Sequence, residues 1–237
     1  MWTSILCLLS LVVYLDAQTA EQLAAVDTKV AAVQQEILKA MDECRMTVKP
    51  SASNMLKMEW SPDAAKTAEK YAKQCKFKHS EASERTIPAF TCGENLYMGS
   101  HFATWTQAIK AFCDEQKNFV YGKGKTSPNA VTEHFTQQAW ATSFLAGCSA
   151  AYCATGEYRW FYVCHQCPFG NISPAVKPYK SGTPCGDCPK YCDNGLCTNS
   201  CKVKNKVTNC ETYRGRCSDS RVQAACEGMC KCPNAIV

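Results

Sequence analysis

The chain lacks an apolar run long enough to cross a membrane, and it has no internal repeat and no low-complexity tract. A spanning helix needs about 20 apolar residues, whereas the stretch Ile5 to Leu15 stops at Asp16 and nothing longer follows. A clustered Lys/Arg stripe is also missing. The formal charge of +5 is mild and spread over 237 residues, which makes a nucleic-acid backbone a poor partner. No Ser or Cys stands in a setting that marks an activated nucleophile.

What is present in quantity is cysteine. The segment Met1 to Ala17 reads as a secretory signal peptide cut near Ala17. Its removal takes away Cys7 and Asp16, leaving 18 cysteines of the 19 and a charge of +6. An even, dense set behind an export signal predicts a secreted protein whose thiols pair in an oxidising compartment. The density shifts along the chain: residues 18–184 hold eight cysteines and residues 185–232 hold ten. The boundary lies near Lys180-Ser181-Gly182-Thr183-Pro184.

In the first part the apolar positions Leu23, Val26, Val30, Val33, Ile37, Met41 and Cys44 recur three or four apart, which predicts one long amphipathic helix ending by Pro50. Ser61-Pro62-Asp63 caps a second helix through Ala65, Ala68 and Tyr71. A third follows Ser100, with Trp105, Ile109 and Phe112 inward. Arg159 to Val163 reads as a buried strand, so helices flank a small sheet. The tail has few large apolar residues and turn signals such as Asp193-Asn194-Gly195, so disulfides must constrain it.

Three constellations carry chemistry. Cys164, Cys167, Cys185 and Cys188 have zinc-ribbon spacing, but an oxidising lumen removes the thiolates that zinc needs. His79, Glu94, Glu115 and His134 could bind a divalent metal through the two imidazoles, or hold a water between base and acid; spacing alone does not bring them together. His101 and His165 have no partner assignable from the sequence. Residues 201–237 hold seven basic side chains (Lys202, Lys204, Lys206, Arg214, Arg216, Arg221, Lys231) against Glu211, Asp219 and Glu227. That excess suits an acidic channel vestibule or anionic surface, or an ordinary solvated face. The sequon Asn171-Ile172-Ser173 is followed by Pro174, which disfavours glycosylation.

Glu133-His134-Phe135-Thr136-Gln137-Gln138-Ala139-Trp140 resembles the first signature of the CAP superfamily, and Phe161-Tyr162-Val163-Cys164-His165-Gln166-Cys167-Pro168 the second. Cys75-x3-His79-Ser80 and Cys92-Gly93-Glu94-Asn95-Leu96-Tyr97-Met98 are similar to two further blocks. Ser181 to Cys188, with Cys192-Asp193-Asn194-Gly195-Leu196-Cys197, resembles the hinge of the cysteine-rich secretory proteins. Val48-Lys49-Pro50 and Asn54 to Trp60 are similar to reptile venom-type members.

The resemblance implies an α+β fold: an α-β-α sandwich over residues 18–180, a hinge over 181–200 and a small helical cysteine-rich domain over 201–237. It implies the pairs Cys75–Cys153, Cys92–Cys167, Cys148–Cys164, Cys185–Cys192, Cys188–Cys197, Cys201–Cys232, Cys210–Cys226 and Cys217–Cys230. Cys44 and Cys113 are left over, on the first and third helices, where an extra bridge needs Cα atoms within about 7 Å. The resemblance also places His79, Glu94, Glu115 and His134 in a cleft as the family's tetrad, with zinc as the cofactor expected at His79 and His134. Glu133, Gln138, Gln166 and Cys113 depart from the usual pattern, and the Glu133 carboxylate could alter metal affinity.

The function implied is binding without turnover by a monomer: modulation or block of an ion channel or other membrane protein, in the manner of a venom toxin. The alternative is a reproductive, cell-surface adhesion or sterol-binding secretory protein. A third class, a metal-dependent hydrolase, predicts activity abolished by His79→Ala or His134→Ala.

Overall fold

The computed structural model describes residues 17–207 and 209–236. The expected signal segment, apart from Ala17, lies outside the described residues. Among those described, no helix is long and apolar enough to cross a membrane.

The single long helix expected over residues 23–44 is interrupted. Residues 17–25 are helical, residues 26–30 turn, and helix α1 runs Ala31–Met46. The reason is local: Lys29 N–H donates to Asp27 Oδ1 at 3.0 Å, a side-chain bond that offers the backbone an alternative to helix. Val33, Ile37, Met41 and Cys44 remain buried along α1, while Leu23 and Val30, flanking the break, are exposed.

Helix α2 (Pro62–Ala72) begins as its sequence demands, with Ser61 Oγ accepting the Ala64 N–H and Pro at the first position. Helix α3 (Trp105–Asp114) starts with a reciprocal cap between Thr104 and Gln107. Helix α4 is short, Glu133–Gln138.

The sheet is built from β1 (Glu59–Trp60), β2 (Gly93–Gly99), β5 (Leu145–Tyr152) and β6 (Trp160–Cys167), in the order β1-β5-β6-β2. A small hairpin, β3 (Phe119–Val120) and β4 (Gly124–Lys125), lies apart. All eight β6 residues are buried, because helices cover both faces. The two-residue period divides them. Trp160, Tyr162 and Cys164 pack with Ile37, Met41, Trp105 and Ile109 of α1 and α3, whereas Phe161 and Val163 pack with Ala68 and Tyr71 of α2. That is the α-β-α sandwich. Gly147 sets the spacing of the α2 layer: a Cβ there would meet Ala65 N at 2.0 Å.

Arg45, fully buried on α1, ties that helix to the 138–143 loop. Its guanidinium donates to five carbonyls, those of Leu56, Gln138, Trp140, Ala141 and Ser143, at 2.8–3.0 Å. Five donors meet five acceptors. Burial pulls its pKa down to about 10, with nearby Asp42 opposing the shift, so the group stays charged at neutral pH.

All 18 described cysteines are paired. The bridges are the eight named above plus Cys44–Cys113, whose Cα atoms are 5.8 Å apart. The four cysteines with zinc-ribbon spacing therefore offer no thiolate.

The 181–200 segment is sewn onto the sandwich. Cys185, Cys188 and Cys197 are buried with Leu56, Ala64 and Phe144. Lys57 N–H donates to Cys197 O, and Cys197 N–H to Met55 O. Strands β7 (Cys192–Asp193) and β8 (Leu196–Cys197) form a hairpin turning on Asn194 and Gly195, with φ of 51° and 86°, the left-handed pair that a two-residue turn requires. The C-terminal module carries α5 (Ser220–Ala225) and α6 (Glu227–Lys231), with Cys210, Val222, Cys226 and Met229 as its buried cluster.

Candidate functional site: a histidine–carboxylate cleft

The structure brings the four expected residues together as two pairs. Strand β2 carries Glu94 and the loop after α2 carries His79, whose Nδ1 lies 2.8 Å from Glu94 Oε1. The turn after α3 (Glu115–Asn118) supplies Glu115, and the first turn of α4 supplies His134, with Nδ1 2.6 Å from Glu115 Oε1. Glu115 Oε2 also accepts the backbone N–H of His134 and Phe135, so one carboxylate both caps the helix and orients its imidazole. Phe112 stacks on the His134 ring, centroids 5.2 Å apart.

Glu94 is the deepest group. Its side chain is 1% exposed, and it accepts from His79 Nδ1, from Ser80 N–H and Oγ–H, and from His165 Nε2 at 3.1 Å. Burial alone would raise its pKa; donation from His165, His79 and Ser80 outweighs that and holds the carboxyl well below its usual range.

His165, without an assignable partner in the sequence, is thus part of the site: fully buried on β6, in register with Glu94, with Nδ1 2.8 Å from Thr67 Oγ. The two-residue period was the available signal, since Val163 and His165 share the face that packs on α2. Ser80, quoted only beside His79, also proves to be a Glu94 donor. His101 stays outside the site, against Ser100.

A cleft of about 660 Å³ opens here, and its lining includes His79, Arg85, Glu94, Asn95, His134 and Phe169. With a carboxylate at each Nδ1, the neutral tautomer that donates from Nδ1 leaves Nε2 of His79 and His134 as a lone pair. That is the donor type a zinc ion takes, with a carboxylate bonded to the far nitrogen of each ring as such ligands have. Among the described residues no group of three or more His, Cys, Asp or Glu side chains is gathered as a metal site. Glu133, expected to affect metal affinity, lines the cleft but is engaged by Lys125 Nζ at 2.6 Å. Burial would raise Glu133; the bond from Lys125 lowers it overall.

Two of the departures from the family pattern meet each other. Gln166 Nε2 donates to Gln138 Oε1 at 2.9 Å, both side chains fully buried. Each buried amide thus meets part of the other's hydrogen-bonding need inside the core. Asn171 of the sequon is committed: Nδ2 donates to Glu133 O, and Oδ1 accepts from Thr136 Oγ.

A profile described as CAP, cysteine-rich secretory protein family, matches residues 38–166, and one described as Crisp matches residues 185–237. The crystal structure of NaASP2 with Zn2+ is 28% identical at a TM-score of 0.61, over 71% of this chain and 96% of its own. Na-ASP-1 is 28% identical at 0.59, and the match spans 71% of this chain and 47% of Na-ASP-1. The hookworm platelet inhibitor, 18% identical at 0.55 over 72% and 92% of the two chains, shares the fold. With the sandwich, the paired histidines and a profile spanning more than half the chain, the protein belongs to the cysteine-rich secretory protein family, a CAP domain followed by a Crisp module.

Proposed function

We propose that the protein is a secreted, venom-type binding protein that modulates or blocks an ion channel through its C-terminal module and turns over no substrate. The observation that carries this reading is the charge of that module. All seven Lys and Arg side chains of residues 201–237 are exposed. Asp219 is taken up by Arg216 and Arg221, and Glu227 by Lys231, while Lys204 and Lys206 form no ion pair among the described residues. Such a surface steers toward an acidic vestibule, with binding that weakens as salt screens charges beyond about 8–10 Å. Nine disulfides are consistent with an extracellular setting.

The test is patch-clamp recording on a panel of voltage-gated and calcium-release channels. The intact protein is expected to reduce current in at least one, and the exposed double variant Lys204→Glu/Lys206→Glu to lose that effect at least tenfold. No effect on any channel would overturn the reading and favour adhesion or sterol binding.

We further propose that His79 and His134 hold a zinc ion through Nε2. The support is the carboxylate on each Nδ1 and the likeness to NaASP2, whose structure is with Zn2+. A bound zinc would supply positive charge and open coordination positions for a target's donor atoms. Two protein ligands are fewer than the three or four of built zinc sites, so the ion is expected to exchange readily. Calorimetric zinc titration should give one site that His134→Ala removes.

A further inference from the structure

We propose that the face built by the β3–β4 hairpin and residues 174–180 binds a sulfated polysaccharide chain through Lys117, Lys123 and Lys177. The inference does not depend on the channel reading, and it concerns a surface other than the cleft and the C-terminal module.

Lysines that stand apart in the sequence are gathered here by the fold. Residues 116–132 and 168–186 contain five lysines and no Asp or Glu, and the two segments are bonded to each other. Gly122 N–H donates to Val176 O at 2.7 Å, Tyr121 Oη–H to Tyr179 O at 2.7 Å, and the two tyrosine rings lie 5.0 Å apart. A Cβ at Gly122 would stand 3.7 Å from Lys177 Cε, so Lys177 lies against the hairpin turn beside Lys123. At the other end Thr126 N–H donates to Asn118 O, next to Lys117. A face held this firmly before binding loses little freedom on binding.

The charge of the face is left open. Lys117, Lys123 and Lys177 are exposed and form no ion pair among the described residues. The bordering acids are taken: Glu133 by Lys125 at 2.6 Å, Asp187 by Lys180 at 2.9 Å, and Glu115 by His134. Lysine is a compact point charge without the fork that fits one planar carboxylate, so three of them answer to repeated charge along a chain. Thr126, Ser127, Asn129 and Ser173 are exposed in the same segments and suit the hydroxyls of a sugar polymer. Val120, 41% exposed, is a single open apolar side chain of the hairpin, too little to anchor in a bilayer. The anionic lipids that draw basic segments lie in the cytoplasmic leaflet, which leaves a sulfated polysaccharide as the polyanion that a disulfide-bonded, extracellular protein meets.

The test is a titration of the full-length protein with a heparin oligosaccharide, in the Lys204→Glu/Lys206→Glu background so that the C-terminal module contributes less. Adding Lys117→Gln/Lys123→Gln/Lys177→Gln should weaken binding at least tenfold and reduce the slope of log affinity against log salt by about three, with an unchanged thermal transition. The corresponding arginine triple, which keeps the charge, should bind within twofold. Hyaluronan, which carries no sulfate, should bind at least tenfold more weakly than heparin. A loss of less than twofold on the glutamine triple, equal binding of hyaluronan, or tighter binding to phosphatidylserine–phosphatidylcholine vesicles through the same lysines would overturn the proposal. None of these readouts uses a channel, so the two readings fail separately.

Discussion

Cys148 and Cys164 face each other across β5 and β6, surrounded by Ile37, Ile109 and Tyr162. Among the described residues, Cys210 and Cys226 of the C-terminal module share their cluster with only Val222 and Met229 as buried neighbours. The first bridge joins residues that a sheet register and a core already hold together. The second joins residues that little else would hold, because a segment of this size buries too little apolar surface to offset its chain entropy. The same covalent bond thus reinforces a fold in one region and creates it in the other.

The comparison breaks most sharply at Arg45. Arg45→Met takes the guanidinium away from five carbonyls of the sandwich, of which only Trp140 O and Ala141 O keep a backbone donor among the bonds described, a loss on the order of 5 kcal/mol. The main unfolding transition should fall by about 10–20 °C although every disulfide is retained, which calorimetry would check. An unchanged transition would mean that the bridges, not the buried network, hold the sandwich.

Cys44→Ser/Cys113→Ser should cost about 3 kcal/mol, or about 6–12 °C, yet leave a cooperative transition, since the core around α1 and α3 persists. Glu94→Gln should cost about 2 kcal/mol at neutral pH. The sign follows from its lowered pKa. The stabilisation from Glu94 is complete above its unfolded value of about 4.3 and is lost as pH falls toward the folded value, so acid denaturation curves below pH 4 should be shallower in the variant. Smallest is Lys57→Ala, which breaks a half-exposed pair with Asp193 and should cost under about 1 kcal/mol. The 181–200 segment stays docked by backbone bonds to Met55 and Lys57, as unchanged amide exchange at Cys197 would report.

What was legible in the sequence was local or periodic. Ser61-Pro62 announces α2 because its capping groups lie within three residues, and Trp105, Ile109 and Phe112 share a face because helices repeat. The break at Asp27 was hidden by an apolar spacing that continues through it. The pairing of His79 with Glu94 and of His134 with Glu115 came from family likeness, since residues 15 and 19 positions apart carry no sign of contact. Arg45 and His165 escaped for one reason: a charged or polar residue on a buried face is stabilised by partners that only the tertiary fold assembles, as Arg45 finds its carbonyls up to 98 residues away. The zinc-ribbon spacing shows the converse, a local pattern whose cysteines are drawn to other partners.

The most direct test of the contrast between the two regions is residue-resolved hydrogen exchange on Cys210→Ser/Cys226→Ser. Amides of Ser220–Ala225 and Glu227–Lys231 should lose their protection while those of Trp160–Cys167 keep theirs. Retained protection in the C-terminal helices, or its loss in both regions together, would contradict the account.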